Sequence, residues 1–206
     1  MISLNLPGGR ILFTGREQGD IRRPADASAL AEAAGRPLVF VRQVHGAEVR
    51  SLTAETGDEL VEADGQATSR RDVAPAVLTA DCLPVVIVGD GALAVVHAGW
   101  RGLHAGVVEE GIAAVRRLGV TGPLSAAIGP GAGPCCYVVG DDVRALFGTT
   151  EPTLDLKASA RRRLNAAGVD HVEDAGVCTV CDSRYFSYRR EGDAAGRQAA
   201  VAWLTR

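Results

Sequence analysis

The sequence predicts an α+β protein, a layered sandwich of the αββα type with mixed sheets covered by helices. Three observations carry that prediction. Apolar, largely β-branched runs at 85–88 and 92–96 flank Gly89-Asp90-Gly91, the pattern of two strands joined by a short turn. Beyond them Leu103, Val107, Val108, Ile112, Val115 and Leu118 recur at helical spacing, and Gly119 ends the run. Helical and strand patterns then interleave to the last residues, with hairpins rather than regular crossovers, which suits mixed sheets under helical layers.

In chain order, residues 26–34 read as a helix that Asp26 or Ser28 can cap and that Gly35 and Pro37 can stop. An apolar run at 38–41 leads into "RQVHG". The hairpin and the helix described above follow. A strand is expected at 124–128, then the turn-rich "GPGAGPCCY", a short helix near 141–147 and another at 156–167. A strand at 199–204 closes the chain. No internal repeat or low-complexity linker interrupts this order.

With 206 residues, 47% of them hydrophobic and 23% charged, the chain suits one globular unit spanning 1–206. A net charge of −3 argues against nucleic acid as a partner, because that requires clustered cations to displace counterions. The run Arg161-Arg162-Arg163 falls in a predicted helix and reads as a solvated face. The segment "MISLNLPGGRILF" lacks the layout of a secretion signal, and the apolar stretch at 83–96 is too short and too interrupted to cross a bilayer. These features predict a soluble, cytoplasmic protein without membrane partners. Its five cysteines, an odd number, then read as reduced thiols, some available for metal or catalysis.

His45 follows a buried-looking strand, Cys82 precedes the first hairpin strand and His97 ends the second, so all three stand at strand ends where sites assemble. Two imidazoles and a thiolate suit zinc, and three protein ligands leave a fourth position for water or substrate. The spacing matches no compact zinc finger and is also compatible with three unrelated residues. Arg101, four residues past His97 and set between Gly99 and Gly102, is a candidate for holding a phosphate or carboxylate, with a salt bridge at the start of the helix as the plainer alternative. Asp81 is a candidate general base or a partner that orients an imidazole, provided the chain bends between it and Cys82. Cys178 and Cys181 form a C-x-x-C pair and Cys135-Cys136 are adjacent. Without a second C-x-x-C these read as buried inert thiols rather than a four-thiolate or redox site. His104 and His171 read as ordinary polar positions.

Taken together, "RQVHG", "TADCLPVVIV", "VVHAGWRG", "AAIGPGAGPCCYVVG" and "CTVCDSRYFSYRREGDAAGRQ" resemble the laccase-domain family, also called multicopper polyphenol oxidase or purine nucleoside phosphorylase, which includes the peptidoglycan-editing factor. The motifs run in family order from about Val39 to the end of the chain. The resemblance implies an α+β sandwich and a zinc held by His45, Cys82 and His97. It also implies phosphorolysis of adenosine, inosine, guanosine or methylthioadenosine, and hydrolytic deamination of adenosine. A zinc with an open position suits deamination, whereas phosphorolysis needs cations around phosphate. Arg101 is assigned to the phosphate, Arg189 or Arg190 of "SYRRE" to a second cationic contact, and Gln43 to the substrate.

Two departures from the family pattern stand out. "FTGREQGDIRRPAD" passes almost directly into the first helix, where relatives usually carry a longer segment, and Gly131 stands where relatives often have cysteine. Three other functions compete. Cys82 could be a nucleophile activated by His97 or His45 in a cysteine hydrolase acting on a peptidoglycan-type amide. A copper polyphenol oxidase is disfavoured because four histidines are too few for a multicopper array. A non-catalytic partner of cell-wall enzymes is the third.

Overall fold

The computed structural model describes residues 1–53, 60–169 and 171–205. Two mixed sheets lie face to face with helices on both outer sides, the layered α+β sandwich expected. The first sheet comprises β1 (Ile2–Leu6), β2 (Gly9–Phe13), β3 (Leu38–Val39), β6 (Ala74–Thr79) and β11 (Gln198–Leu204), in the order β1-β2-β11-β6-β3. The second comprises β4 (Val49–Leu52), β5 (Gly65–Thr68), β7 (Leu83–Gly89), β8 (Ala92–Ala98), β9 (Ser125–Ile128) and β10 (His171–Asp174), in the order β10-β9-β7-β8-β5-β4. Pairs β3·β6, β4·β5 and β9·β10 are parallel and the others antiparallel.

The hairpin carries the core because both of its faces are buried. Val85 and Ile87 of β7, with Ala94 and Val96 of β8, point to the helices, while Val86, Val88, Leu93 and Val95 point to the opposite sheet. A strand alternates its side chains between two faces, so burial on both requires an unbroken apolar sequence rather than an alternating one. On the far side of the first sheet, Leu12, Val201 and Trp203 pack against Leu30 and Ala34 of α1 (Pro24–Ala34).

Several boundaries differ from the sequence prediction for identifiable reasons. Helix α1 starts two residues earlier than 26, with Arg23 at the cap and Pro24 at the first helical position, where its missing N–H costs nothing. Neither Asp26 nor Ser28 is the cap. The single helix expected at 103–118 is two, α2 (Trp100–Ala105) and α3 (Val107–Arg117), because Gly106 sits between them at φ 95°. The short helix at 141–147 is found as α4 (Asp141–Phe147), and α5 runs over Leu156–Ala166. The last helix, α6 (Tyr188–Glu191), was not expected, nor was the hairpin of β1 and β2.

Phe13 is 1% exposed between the sheets, with its ring against Gly129, where an added Cβ would come within 2.5 Å of it. Phe13→Ala is expected to destabilise the protein by about 3–5 kcal/mol, read as a lower urea midpoint.

Candidate metal and substrate site

The hairpin's open end brings Cys82, one residue before β7, beside His97 near the end of β8, because Leu83 pairs with Ala98 and Pro84 with His97. His45 arrives from the loop after β3. The ligand atoms of His45, Cys82 and His97 all lie within 4.8 Å of one another, and the two imidazoles meet edge to face at 4.8 Å between centroids. These three residues could hold a metal ion.

A residue that sequence reasoning missed organises them. Asp64, 0% exposed, accepts a hydrogen bond from His97 Nδ1 at 2.8 Å. It also accepts from the backbone N–H groups of Val44, His45 and Gly46 at 3.1, 2.9 and 2.6 Å. Burial alone would raise its pKa, but the His97, Gly46 and Val44 donors outweigh that and hold it below the usual carboxylate value. An ionised Asp64 holds a proton on His97 Nδ1 and leaves Nε2 as the nitrogen available to Cys82 or to a metal. The same carboxylate supports the uncommon left-handed backbone of His45, φ 62°.

Burial would also raise the Cys82 thiol, yet His97 and His45 bring it down to about 6. Burial would lower His97, and Cys82 and Asp64 instead lift it to about 9. Without metal, Cys82 and His97 are therefore a thiolate and an imidazolium at neutral pH. Gly99 is required for the packing: a Cβ there would stand 2.8 Å from the Cys82 sulfur. Gly102 likewise fits against the backbone of Gly46 and His97, so the glycines around Arg101 allow close packing of α2.

The three residues lie in the wall of a cavity of about 610 Å³, which Gln43, Asp81, Arg101 and Arg189 also line. The chain does bend at Asp81, φ 86°, but its carboxylate is committed elsewhere. It accepts from Thr179 Oγ1 at 2.7 Å, Ser187 Oγ at 3.1 Å and the Arg189 backbone N–H at 2.7 Å. Asp64, not Asp81, orients the imidazole, and Asp81 instead ties the loop at 177–189 to the site. The Gln43 amide exchanges two hydrogen bonds with the Leu78 backbone, both 2.8 Å, and so shapes the wall as a strand neighbour would.

Among the described residues Arg101 makes no ion pair; its guanidinium lies 4.4 Å from the Trp100 ring centroid, so the salt bridge considered for it is absent. Arg189 donates to the Val138 carbonyl at 2.6 Å and stacks on Tyr137. Arg190 is spent on the carbonyls of Thr179, Val180 and Tyr185 and on Glu191, and does not line the cavity. Arg22, from the short segment before α1, and Arg197 add two further cations to the wall. Thr79 also lines it, 1% exposed, with a hydroxyl that has no hydrogen-bond partner among the described residues. Burial and the Cys82 charge push the Tyr137 phenol up to about 12, so it keeps its proton at neutral pH.

The remaining imidazoles are remote from this arrangement: His104 is exposed beside Phe147 and His171 is exposed near Glu173. The remaining cysteines are not the buried, inert thiols expected. Cys135 and Cys181 are exposed, Cys136 and Cys178 partly so, and their four sulfurs also lie within 4.8 Å of one another.

Residues 17–205 match the family described as multi-copper polyphenol oxidoreductase laccase. The chain belongs to that family. Relatives within reach carry a different name: a protein of Xylella fastidiosa strain 9a5c, 43% identical over 86% of this chain and 76% of its own, is called purine nucleoside phosphorylase. YfiH of Escherichia coli K12, 35% identical over 81% of this chain and 73% of its own, is called the same. Among solved structures, Neisseria meningitidis protein NMB0706 superposes with a TM-score of 0.85 at 31% identity, covering 100% of this chain and 99% of that one. YlmD of Geobacillus stearothermophilus superposes at 0.81 with 29% identity, over 96% and 92%. Among the described residues no helix is long and apolar enough to cross a membrane.

Alkylation of metal-free protein by iodoacetamide is expected to reach half-rate at Cys82 near pH 6 rather than near 9. Asp64→Asn removes one of the two charges that keep His97 protonated, Cys82 supplying the other, so the midpoint moves up, and metal affinity falls about 10- to 100-fold by metal titration.

Proposed function

We propose that this chain is a cytoplasmic, zinc-dependent purine nucleoside phosphorylase that also deaminates adenosine. One observation carries the reading. Two imidazoles and a thiolate, one imidazole locked by a buried carboxylate, open onto a cavity ringed by arginines. The donor set and the fixed His97 tautomer fit zinc, with His45, Cys82 and His97 as its ligands. When bound there, zinc would supply Lewis acidity beside the cavity. The family's older name points to copper, but two imidazoles at this site are too few for a coupled copper array.

Phosphorolysis joins a phosphate oxygen to ribose C1′ as the bond from C1′ to purine N9 breaks. Arg101, whose guanidinium makes neither an ion pair nor a hydrogen bond among the described residues, takes the phosphate, and Arg189, braced by Val138 and Tyr137, makes the second contact. Gln43 and Asp81 hold the wall behind the substrate, through Leu78 and through Thr179, Ser187 and Arg189. Exposed Tyr188 offers an aromatic face to the purine.

A second reading rests on the charge state of the same residues. A Cys82 thiolate, a His97 imidazolium and the Asp64 carboxylate form the order used by cysteine hydrolases, which would act on an amide. Active, metal-free protein inactivated by iodoacetamide favours that reading, and stoichiometric zinc lost with Cys82→Ala favours ligation.

Metal-characterised protein incubated with inosine and phosphate should release hypoxanthine and ribose 1-phosphate, and with adenosine alone should release inosine and ammonia. The absence of product with adenosine, inosine and methylthioadenosine, with and without phosphate, overturns the assignment. Arg101→Ala is expected to raise the KM for phosphate about 10- to 100-fold while sparing deamination, from the worth of one charge-assisted hydrogen bond. Equal loss of both activities refutes that division of roles.

A further inference from the structure

We propose that Cys135, Cys136, Cys178 and Cys181 form a second metal site, a four-thiolate zinc centre that braces one wall of the cavity. The four residues come from two loops more than forty positions apart, yet their sulfurs all lie within 4.8 Å of one another. Cys135 and Cys136 approach Cys181 at 3.4 and 2.9 Å. A disulfide is about 2.05 Å long. Tetrahedral zinc with sulfur at about 2.3 Å separates its ligands by about 3.8 Å. The observed contacts lie between these values, so small side-chain rotations bring the sulfurs to the tetrahedral spacing.

The local backbone has the features of a thiolate site. Cys178 and Cys181 have the C-x-x-C spacing that lets one short turn present two sulfurs to one ion. The Gly133 N–H donates to the Cys178 sulfur at 3.2 Å, and a Cβ at Gly133 would press within 3.4 Å of both Cys135 and Cys178. Four sulfurs deprotonated at this distance would repel, and a soft divalent ion is the partner that neutralises them.

The position gives the ion a task. Gly131 and Cys178 already form a parallel bridge, and Thr179 donates to the Gly131 carbonyl at 3.0 Å. Tyr137 and Val138, which hold Arg189, follow Cys136 directly. Thr179, which holds Asp81, follows Cys178. Joining the two loops through one ion fixes both ends of that wall. His45, Cys82 and His97 take no part in it.

Zinc per chain is measured by mass spectrometry on desalted protein from zinc-supplemented cells, kept reduced, for wild type, Cys82→Ala and the double variant Cys178→Ser/Cys181→Ser. Wild type should carry two ions and each variant one. Cobalt loaded into Cys82→Ala should give intense sulfur-to-metal charge-transfer absorption with tetrahedral bands, a spectrum that one thiolate cannot produce. If the double variant fails to fold, Cys82→Ala alone decides the question. A Cys82→Ala protein without metal, whose four thiols react at once with a disulfide reagent or are recovered as a disulfide, overturns the proposal. Because the readout is metal content, failure of the nucleoside assay leaves this test unaffected.

Discussion

The carboxylate of Asp64 lies at 0% exposure between the loop that carries His45 and the strand that carries His97. An ionised group in that position is tolerable only when every lone pair is used, and here three backbone N–H groups and one imidazole N–H use them. The arrangement works in both directions. The donors keep Asp64 charged, and Asp64 holds the His45 backbone in a left-handed turn while setting the His97 tautomer. Cys82 and His97 hold each other charged, and the same carboxylate adds to the stabilisation of a protonated His97.

The sandwich supplies the rigidity this pair of loops needs. The hairpin of β7 and β8 lies in the middle of its sheet and is buried on both faces, so its register cannot slip without moving apolar side chains into the wrong layer. That register sets Pro84 opposite His97 and leaves Cys82 beside it. The opposite wall is built less from packing than from polar clamps. Asp81 gathers Thr179, Ser187 and the start of α6, and Arg190 gathers the carbonyls of Thr179, Val180 and Tyr185. A wall held by hydrogen bonds between loops benefits from a further cross-link, and the four cysteines stand where one would act.

Two kinds of group thus meet in the cavity. One side presents soft and imidazole donors under fixed protonation, and the other presents guanidinium groups of differing freedom. Arg189 is braced by the Val138 carbonyl and Tyr137. Arg22 bonds Asp20 and the Ala195 carbonyl, and Arg197 bonds the carbonyls of Ala195 and Gly196. Among the described residues, Arg101 alone of this group rests only on an aromatic ring. A cation without a committed partner is the one most able to exchange water for an anion at little cost.

Much of the fold was legible in the linear chain because burial leaves a periodic trace. The hairpin, the helices at α1, α4 and α5, and the final strand all follow from apolar spacing and from glycines at their ends. The strands β4, β5 and β10 left no such trace, being four residues each and partly polar. The identities of His45, Cys82, His97 and Arg101 were readable as residue types at strand ends, and the ordered motifs pointed to the family. Tertiary structure alone decided that Asp64 rather than Asp81 orients the imidazole, that Thr79 keeps an unpartnered hydroxyl, and that four cysteines expected to be inert converge. The physical reason is common to all three. A side-chain hydrogen bond or a shared ligand joins loop positions whose separation in sequence carries no period, so only the packed sheets, by fixing where each loop begins and ends, determine which groups meet.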